Sequence, residues 1–391
     1  MIPLAEPNLS GNEAMYLQEC IETNFVSSVG PFVDRFETLV SKAAGTDTAV
    51  AVNSGTSGLH AALVSVGVSR DDLVVIPDYT FIATANAVAM AGATPWIFDI
   101  NDESWTLDPV DLATTFDREV ELRGNAAWHV PTNRRVAAII PVHTFGHPAN
   151  LKLIVEIAQR YGIPVVADGA AALAATCHGQ TVGGSGADLT VFSFNGNKTV
   201  TAGACGAVTG NDPNLLARVR HLTTTARTSM AYTHDRVAFN YRMTNLQAAV
   251  GCAQMEQLHD FVASKRLIRD RYTGAFANLS CATSPPNAVW ANSACWISGV
   301  CVDDNAEVSA QAIAAHLREN GIDARLFWQP VHHQAPFADA PRQSVGTSEQ
   351  LAKRFIALPC SSNLLPNQQN RVIEACIELL RAEVAIAPFL R

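Results

Sequence analysis

The 391 residues are 48% hydrophobic and 16% charged, which is enough apolar material for one large domain and a smaller one. A net charge of −9 argues against broad binding to nucleic acid or to an anionic membrane, and leaves room for a local phosphate site. The opening "MIPLAEPNLSGNE" has no basic segment followed by an apolar one, and no run approaches the roughly 20 apolar residues of a membrane span, so a cytoplasmic protein is expected.

In chain order, the runs "TAVAVNS", "DLVVIPD", "TPWIFDI", "VAAIIPVHT", "IPVVADGA" and "LTVFSF" are short, apolar and bounded by turn residues, as buried strands are. Between them, 56–67, 81–92 and 150–161 have helical character. The alternation predicts βαβ units and a mostly parallel sheet covered by helices, with ligands bound at the carboxyl ends of its strands. From Thr244 onward, "TNLQAAVGCAQMEQLHDFVASKRLIRDRYTGAFANL" keeps apolar residues at helical spacing and predicts one long helix bridging two domains. The division is therefore 1–255 for a large domain that includes the N-terminal segment, and 256–391 for a small α/β domain. The small domain should hold a strand in "ACWISGVCV", a helix near 308–320 and a last helix near 366–383.

Nine cysteines are scattered from Cys20 to Cys376 with no C-x-x-C pair, so neither a disulfide framework nor a zinc ribbon is indicated and reduced thiols are expected. The adjacent pairs Cys177–His178 and His332–His333 lack the i, i+4 spacing that puts two ligands on one helix face, and no metal is expected.

Several strand ends carry chemistry. In "AVNSGTSGLHAAL" a strand runs into Ser54, Gly55, Thr56 and Ser57 and then a helix, which offers amides and hydroxyls to an anion; the same residues are also preferred helix caps. Asp168 ends the strand of "IPVVADGAAAL" among alanines and glycine. A buried carboxylate there needs a cationic or hydrogen-bonding partner, such as a protonated pyridine nitrogen, or it simply caps the next helix. In "VFSFNGNKTVTAGACG" Ser193 and Lys198 stand five apart after a strand. An ammonium is costly to bury unless paired or chemically altered, and forming an imine removes its fixed charge. A solvated loop lysine is the other reading. The order S-G-T-S, Asp168, S-x-x-x-x-K unites these features.

On those residues the chain resembles the nucleotide-sugar aminotransferases of the DegT/StrS family, from "IPLAEPNLSGNE" to "ALPCSSNLLPNQQNRVIEA". "FVSSVGPFVDRFE", "PVHTFGHPANL", "FSFNGNKTVTAGACG" and "FNYRMTNLQAAVG" are most similar to the branch acting on UDP-linked 4-keto-6-deoxy-N-acetylhexosamines in bacillosamine and legionaminic acid pathways. The resemblance implies an aspartate-aminotransferase-like α/β fold (PLP fold type I) holding pyridoxal 5′-phosphate (PLP). It implies Lys198 as Schiff-base lysine and proton carrier, Asp168 at the pyridine nitrogen, and Thr56, Ser57 and Ser193 at the phosphate. Phe81, which on its own reads as core, would stack on the cofactor ring. Asn240 and Arg242 would reach the site of a neighbouring subunit in a homodimer with shared active sites. His332, otherwise an ordinary surface histidine, would lie near the substrate.

The implied reaction is ping-pong transfer of an amino group from glutamate to the C4 keto group of the sugar, in surface-glycan biosynthesis. Two departures from the family pattern stand out: Ala171 where Glu or Gln lies near the cofactor's 3-hydroxyl, and Cys205 at a glycine position, costly if that backbone needs φ > 0. They leave a PLP-dependent dehydratase or lyase and a non-enzymatic regulatory protein as alternatives, although the intact lysine argues against the family's histidine-bearing dehydratases.

Overall fold

The computed structural model describes residues 1–304 and 306–381. The predicted positions 382 and 383 of the last helix lie outside the described residues. The main sheet is built from β1 (Thr48–Val52), β2 (Leu73–Pro77), β3 (Thr94–Phe98), β4 (Arg134–Ile139), β5 (Val166–Asp168), β6 (Leu189–Ser193) and β7 (Gly206–Gly210). Ladders run β3-β2-β4 and β5-β6-β7-β1, and parallel bridges Ile139–Val165 and Val142–Asp168 join β4 to β5. β7 pairs antiparallel with both neighbours; the other pairings are parallel.

The strands are apolar on both faces, as a sheet covered on both sides requires. Ala49, Ala51, Phe192 and Ala207 pack into one core with α2 (Pro31–Ala44) and α8 (Asn245–Glu256). Alternate positions Val50, Val191 and Val208 pack into a second core with α3 (Gly55–Ser65), α4 (Ala83–Met90) and α7 (Pro213–Thr223). Ser54 and Asp212 cap α3 and α7, and Thr244 with Gln247 forms a capping box on α8. Each such cap is worth about 1 kcal/mol.

The long bridging helix is two. α8 ends at Gln257 (φ −106°, ψ 5°), and α9 (Leu258–Phe276) follows in a new direction of burial. Leu258, Phe261 and Val262 still pack in the large core, whereas Tyr272 and Phe276 belong to the C-terminal one, so the bridging role survives the break. The C-terminal sheet has β8 (Ala282–Thr283), β9 (Ser298–Val302), β10 (Arg325–Leu326) and β11 (Phe355–Leu358), ordered β8-β9-β11-β10 with antiparallel pairing. α10 (Ala310–Glu319) and α12 (Pro366–Arg381) back it. The first residues join this part and not the large one: Ile2 N–H donates to Gly321 O, Leu4 O accepts from Cys360 N–H, and both side chains enter the C-terminal core. All nine cysteines are buried. Among the described residues no helix is long and apolar enough to cross a membrane.

Candidate active site

The strand ends β5 and β6, the start of α3 and the loop after β6 enclose a cavity of about 550 Å3, with Trp296 and the 325–328 segment closing it from the C-terminal part. Thr56, Phe81, Asp168, Ser193 and Lys198 all line it. Phe81 is 57% exposed, so the reading of it as core fails; its ring faces Trp328 at 6.2 Å between centroids.

Asp168 is buried at the carboxyl end of β5. Its Oδ2 accepts from Thr84 Oγ1 at 2.8 Å and its Oδ1 from Ala170 N–H at 3.0 Å, so no helix-capping role uses it up. Burial pushes its carboxyl above the usual range, against the pull of Thr84, Ala170 and Lys198. Lys198 is held by the loop that β6 and β7 close, where Phe194 N–H donates to Cys205 O and Lys198 N–H to Asn195 O. Burial lowers its ammonium to about 8, although Asp168 opposes the shift. The Lys198 side chain turns into the cavity and its Nζ lies against the Trp296 ring, which does not fit a solvated loop lysine.

At α3 the two readings of S-G-T-S coexist. Ser54 Oγ accepts from Ser57 N–H at 3.0 Å, and the buried Ser57 hydroxyl faces Asn53 Oδ1 and Ser54 O as acceptors. The first turn of α3, whose amides a helix cannot satisfy internally, borders the cavity at Gly55 and Thr56, where an anion would meet it. The packing there is close: a Cβ on Gly55 would meet Ser193 Cβ at 3.0 Å, and one on Gly206 would meet Gly55 N at 2.7 Å. Cys205 does adopt φ +79°, at a cost of about 1–2 kcal/mol. Its thiol, pushed up to about 12 by burial, is chemically inert.

Four expected residues stand outside the lining: the buried Ser57, and Asn240, Arg242 and His332. Asn240 and Arg242 lie on the strand-like segment after α7, bridged to Thr224 and Val52. His332 is neither on the surface nor at the cavity. Its Nδ1 is 2.8 Å from Asp78 Oδ2 and its Nε2 is 3.1 Å from Glu349 Oε1, so each ring nitrogen faces a carboxylate. It ties the segment after Trp328 to the loop that carries Thr80 and Phe81, and it holds the Glu349 carboxyl below the usual range. His332, His333 and Glu349 come within 4.8 Å of one another, but both His332 nitrogens are already engaged.

Other residues in or behind the cavity wall had no sequence signal. Thr84, which holds Asp168, looks like any helix threonine. His143 sits in the cavity wall behind β4; its Nδ1 accepts from Ala149 N–H, its Nε2 has no partner, and burial lowers it to about 3. Trp296, read as part of a strand, precedes β9 and lies over Lys198.

A model of the DegT/DnrJ/EryC1/StrS aminotransferases matches residues 7–377. The chain belongs to this family. It is 33% identical over 381 residues to a GDP-perosamine synthase of Caulobacter vibrioides, covering 97% of this chain and 98% of that one. A GDP-perosamine synthase of Vibrio cholerae is 31% identical over 380 residues, covering 97% and 98%. Among solved structures, DesV of S. venezuelae matches with a TM-score of 0.84 and 28% identity over 94% of each chain. The protein is accordingly a PLP-dependent aminotransferase of fold type I. The cavity fits that cofactor on its own terms: a buried carboxylate short of a cation, a desolvated lysine, and a helix start bordered by glycines that leave no room for a Cβ.

Proposed function

We propose that this aminotransferase moves an amino group from glutamate to the C4 keto group of a nucleotide-linked 4-keto-6-deoxy sugar. The convergence of Lys198, Asp168, Ser193 and the start of α3 on one cavity carries the reading. Bound there, PLP supplies an aldehyde carbon and an electron-withdrawing ring. Lys198 would hold the cofactor covalently and, as a free amine once the amino donor has taken its place, would carry the proton. Asp168 holds the pyridine nitrogen protonated, Thr56, Ser193 and the α3 amides hold the phosphate with Ser57 bracing the turn, and Phe81 covers the ring.

For the nucleotide, the sequence motifs favour UDP-2-acetamido-2,6-dideoxy-hexos-4-ulose, whereas relatives named GDP-perosamine synthase favour a GDP-linked sugar. Incubating the enzyme with glutamate and GDP-, UDP- or dTDP-linked 4-keto-6-deoxy sugars, with mass spectrometry of the products, tests this. An amino sugar formed from one of them supports the proposal. Elimination products, or no 2-oxoglutarate from any, would favour the dehydratase or regulatory alternative.

The lowered value of Lys198 gives a pH prediction. Only the neutral amine attacks an aldehyde, so loading of PLP onto the apoenzyme should slow about tenfold per pH unit below 8 and level off above it. An ordinary lysine would keep accelerating to about pH 10.

Two chains are proposed to complete each site. Met230 and Val237, in the segment between α7 and Arg242, are 86% and 92% exposed, as residues awaiting a second copy would be. Arg242 would contact the partner's phosphate through a guanidinium that stays charged. Mixing Lys198→Ala chains with Arg242→Ala chains puts both defects in one site of a heterodimer and neither in the other. Activity should then return to part of the wild-type level, and no recovery under conditions that exchange subunits would rule out shared sites.

A further inference from the structure

Trp296 connects the C-terminal part to the lysine. The Lys198 Nζ lies 3.5 Å from the centroid of its ring, well within the distance at which a cation is attracted by an aromatic face. The indole cannot swing away. Its Nε1–H donates to Asn197 O at 2.7 Å, one residue before the lysine, and its carbonyl accepts from Lys265 Nζ at 3.1 Å. Lys265, buried on α9, spends its ammonium on that carbonyl and on Cys360 O, so it pins the backbone of Trp296 and offers Lys198 no anion. Trp328 stands behind at 6.3 Å between centroids. The charged groups that face the amine are thus Asp168 from β5, which favours the ammonium, and Lys265 from α9, which opposes it, with Arg325 at the cavity wall committed to Asp323.

We propose that Trp296 is a positioning residue for Lys198: its face holds the ε-ammonium whenever the amine is free of the cofactor, and so sets where the proton carrier waits and how readily it keeps its proton. This rests on the reading of Lys198 as the cofactor-binding lysine. The ring quadrupole attracts the ammonium and has no such hold on a neutral amine or an imine, so the interaction exists only in those stages of the cycle in which Lys198 has been displaced. Burial lowers the amine's basicity; the indole restores part of it at the place where the proton must be handed over.

The experiment uses the holoenzyme converted by glutamate to the aminated cofactor form, in which Lys198 is free. Acetic anhydride labelling of Lys198 is followed against pH by peptide mass spectrometry in wild type, Trp296→Leu and Trp296→Phe. In the leucine variant the labelling midpoint should fall by about half a unit to one unit, the shift equivalent to losing one cation–π contact, so labelling at about pH 7 quickens about threefold to tenfold. The phenylalanine variant should lie between the two. An unchanged midpoint in the leucine variant, or the same shift in both variants, would overturn the proposal, since burial and not the ring would then be responsible. If the leucine variant does not fold, 5-fluorotryptophan incorporated into the wild-type chain withdraws electron density without changing shape. It should lower the midpoint in the same direction, and no shift would refute the role. Borohydride reduction of each PLP-loaded protein separates the two ideas: cofactor found on another lysine would remove the Lys198 reading itself, whatever the midpoints are.

Discussion

Replacing Lys198 by alanine is expected to reduce turnover by about a thousandfold or more while leaving the fold intact. General acid–base transfer alone contributes roughly 10²–10⁴ in rate, and the variant also loses the covalent exchange that delivers the amino donor to the cofactor. The fold should tolerate the change because the ammonium sits in the cavity wall, where burial lowers it to about 8, so its loss relieves a burial cost. The loop that carries it is closed by backbone bonds, Phe194 N–H to Cys205 O and Ala202 N–H to Phe194 O, which alanine keeps. Circular dichroism and thermal melting should match wild type, and stopped or discontinuous assays should show the loss. A variant that keeps more than about a tenth of wild-type turnover would contradict the assigned role.

The Asp168→Asn substitution is expected to cost about 10²–10³ in turnover, the usual effect of removing one preorganised electrostatic partner. The amide can still meet Thr84 and Ala170, so geometry changes little, but it cannot hold the ring nitrogen protonated. Stability should move the other way. The Asp168 carboxyl is raised in the folded apoenzyme, mainly by burial, so its penalty is absent below the unfolded value and full once pH exceeds the folded one. At neutral pH the apo variant should therefore melt no lower than wild type while retaining PLP less well. Turnover by the Asp168→Asn variant close to that of wild type would refute the ring-nitrogen assignment.

The site was legible in the sequence where a functional residue sits at the end of an apolar strand. Asp168 and Ser193 close β5 and β6, and Thr56 lies in the first turn of α3. Residues that reach the cavity from elsewhere gave no signal. Thr84 and Trp296 owe their roles to what they face, a carboxylate and an ammonium, and neither neighbour is near in sequence. α1 (Glu13–Glu22) was invisible because its outward face carries Met15 and Ile21, so its apolar residues do not form a stripe toward the core. The continuous helical pattern across Gln257 hid the break because the first turn of α9 packs into the same core as α8, and the chain passes to the C-terminal core only further along α9. The placing of His332 between carboxylates was not legible, because Asp78 and Glu349 come from distant segments.

The central claim is that Lys198 carries the cofactor and that the carbonyl it holds passes an amino group onward. Borohydride reduction of the PLP-loaded enzyme, followed by proteolysis and mass spectrometry, tests it most directly when run with and without prior glutamate. The account predicts reduced cofactor on the peptide containing Lys198 without glutamate, and loss of that adduct, with one equivalent of 2-oxoglutarate per site, after glutamate is added. An adduct on another lysine, or one that glutamate does not discharge, would contradict it.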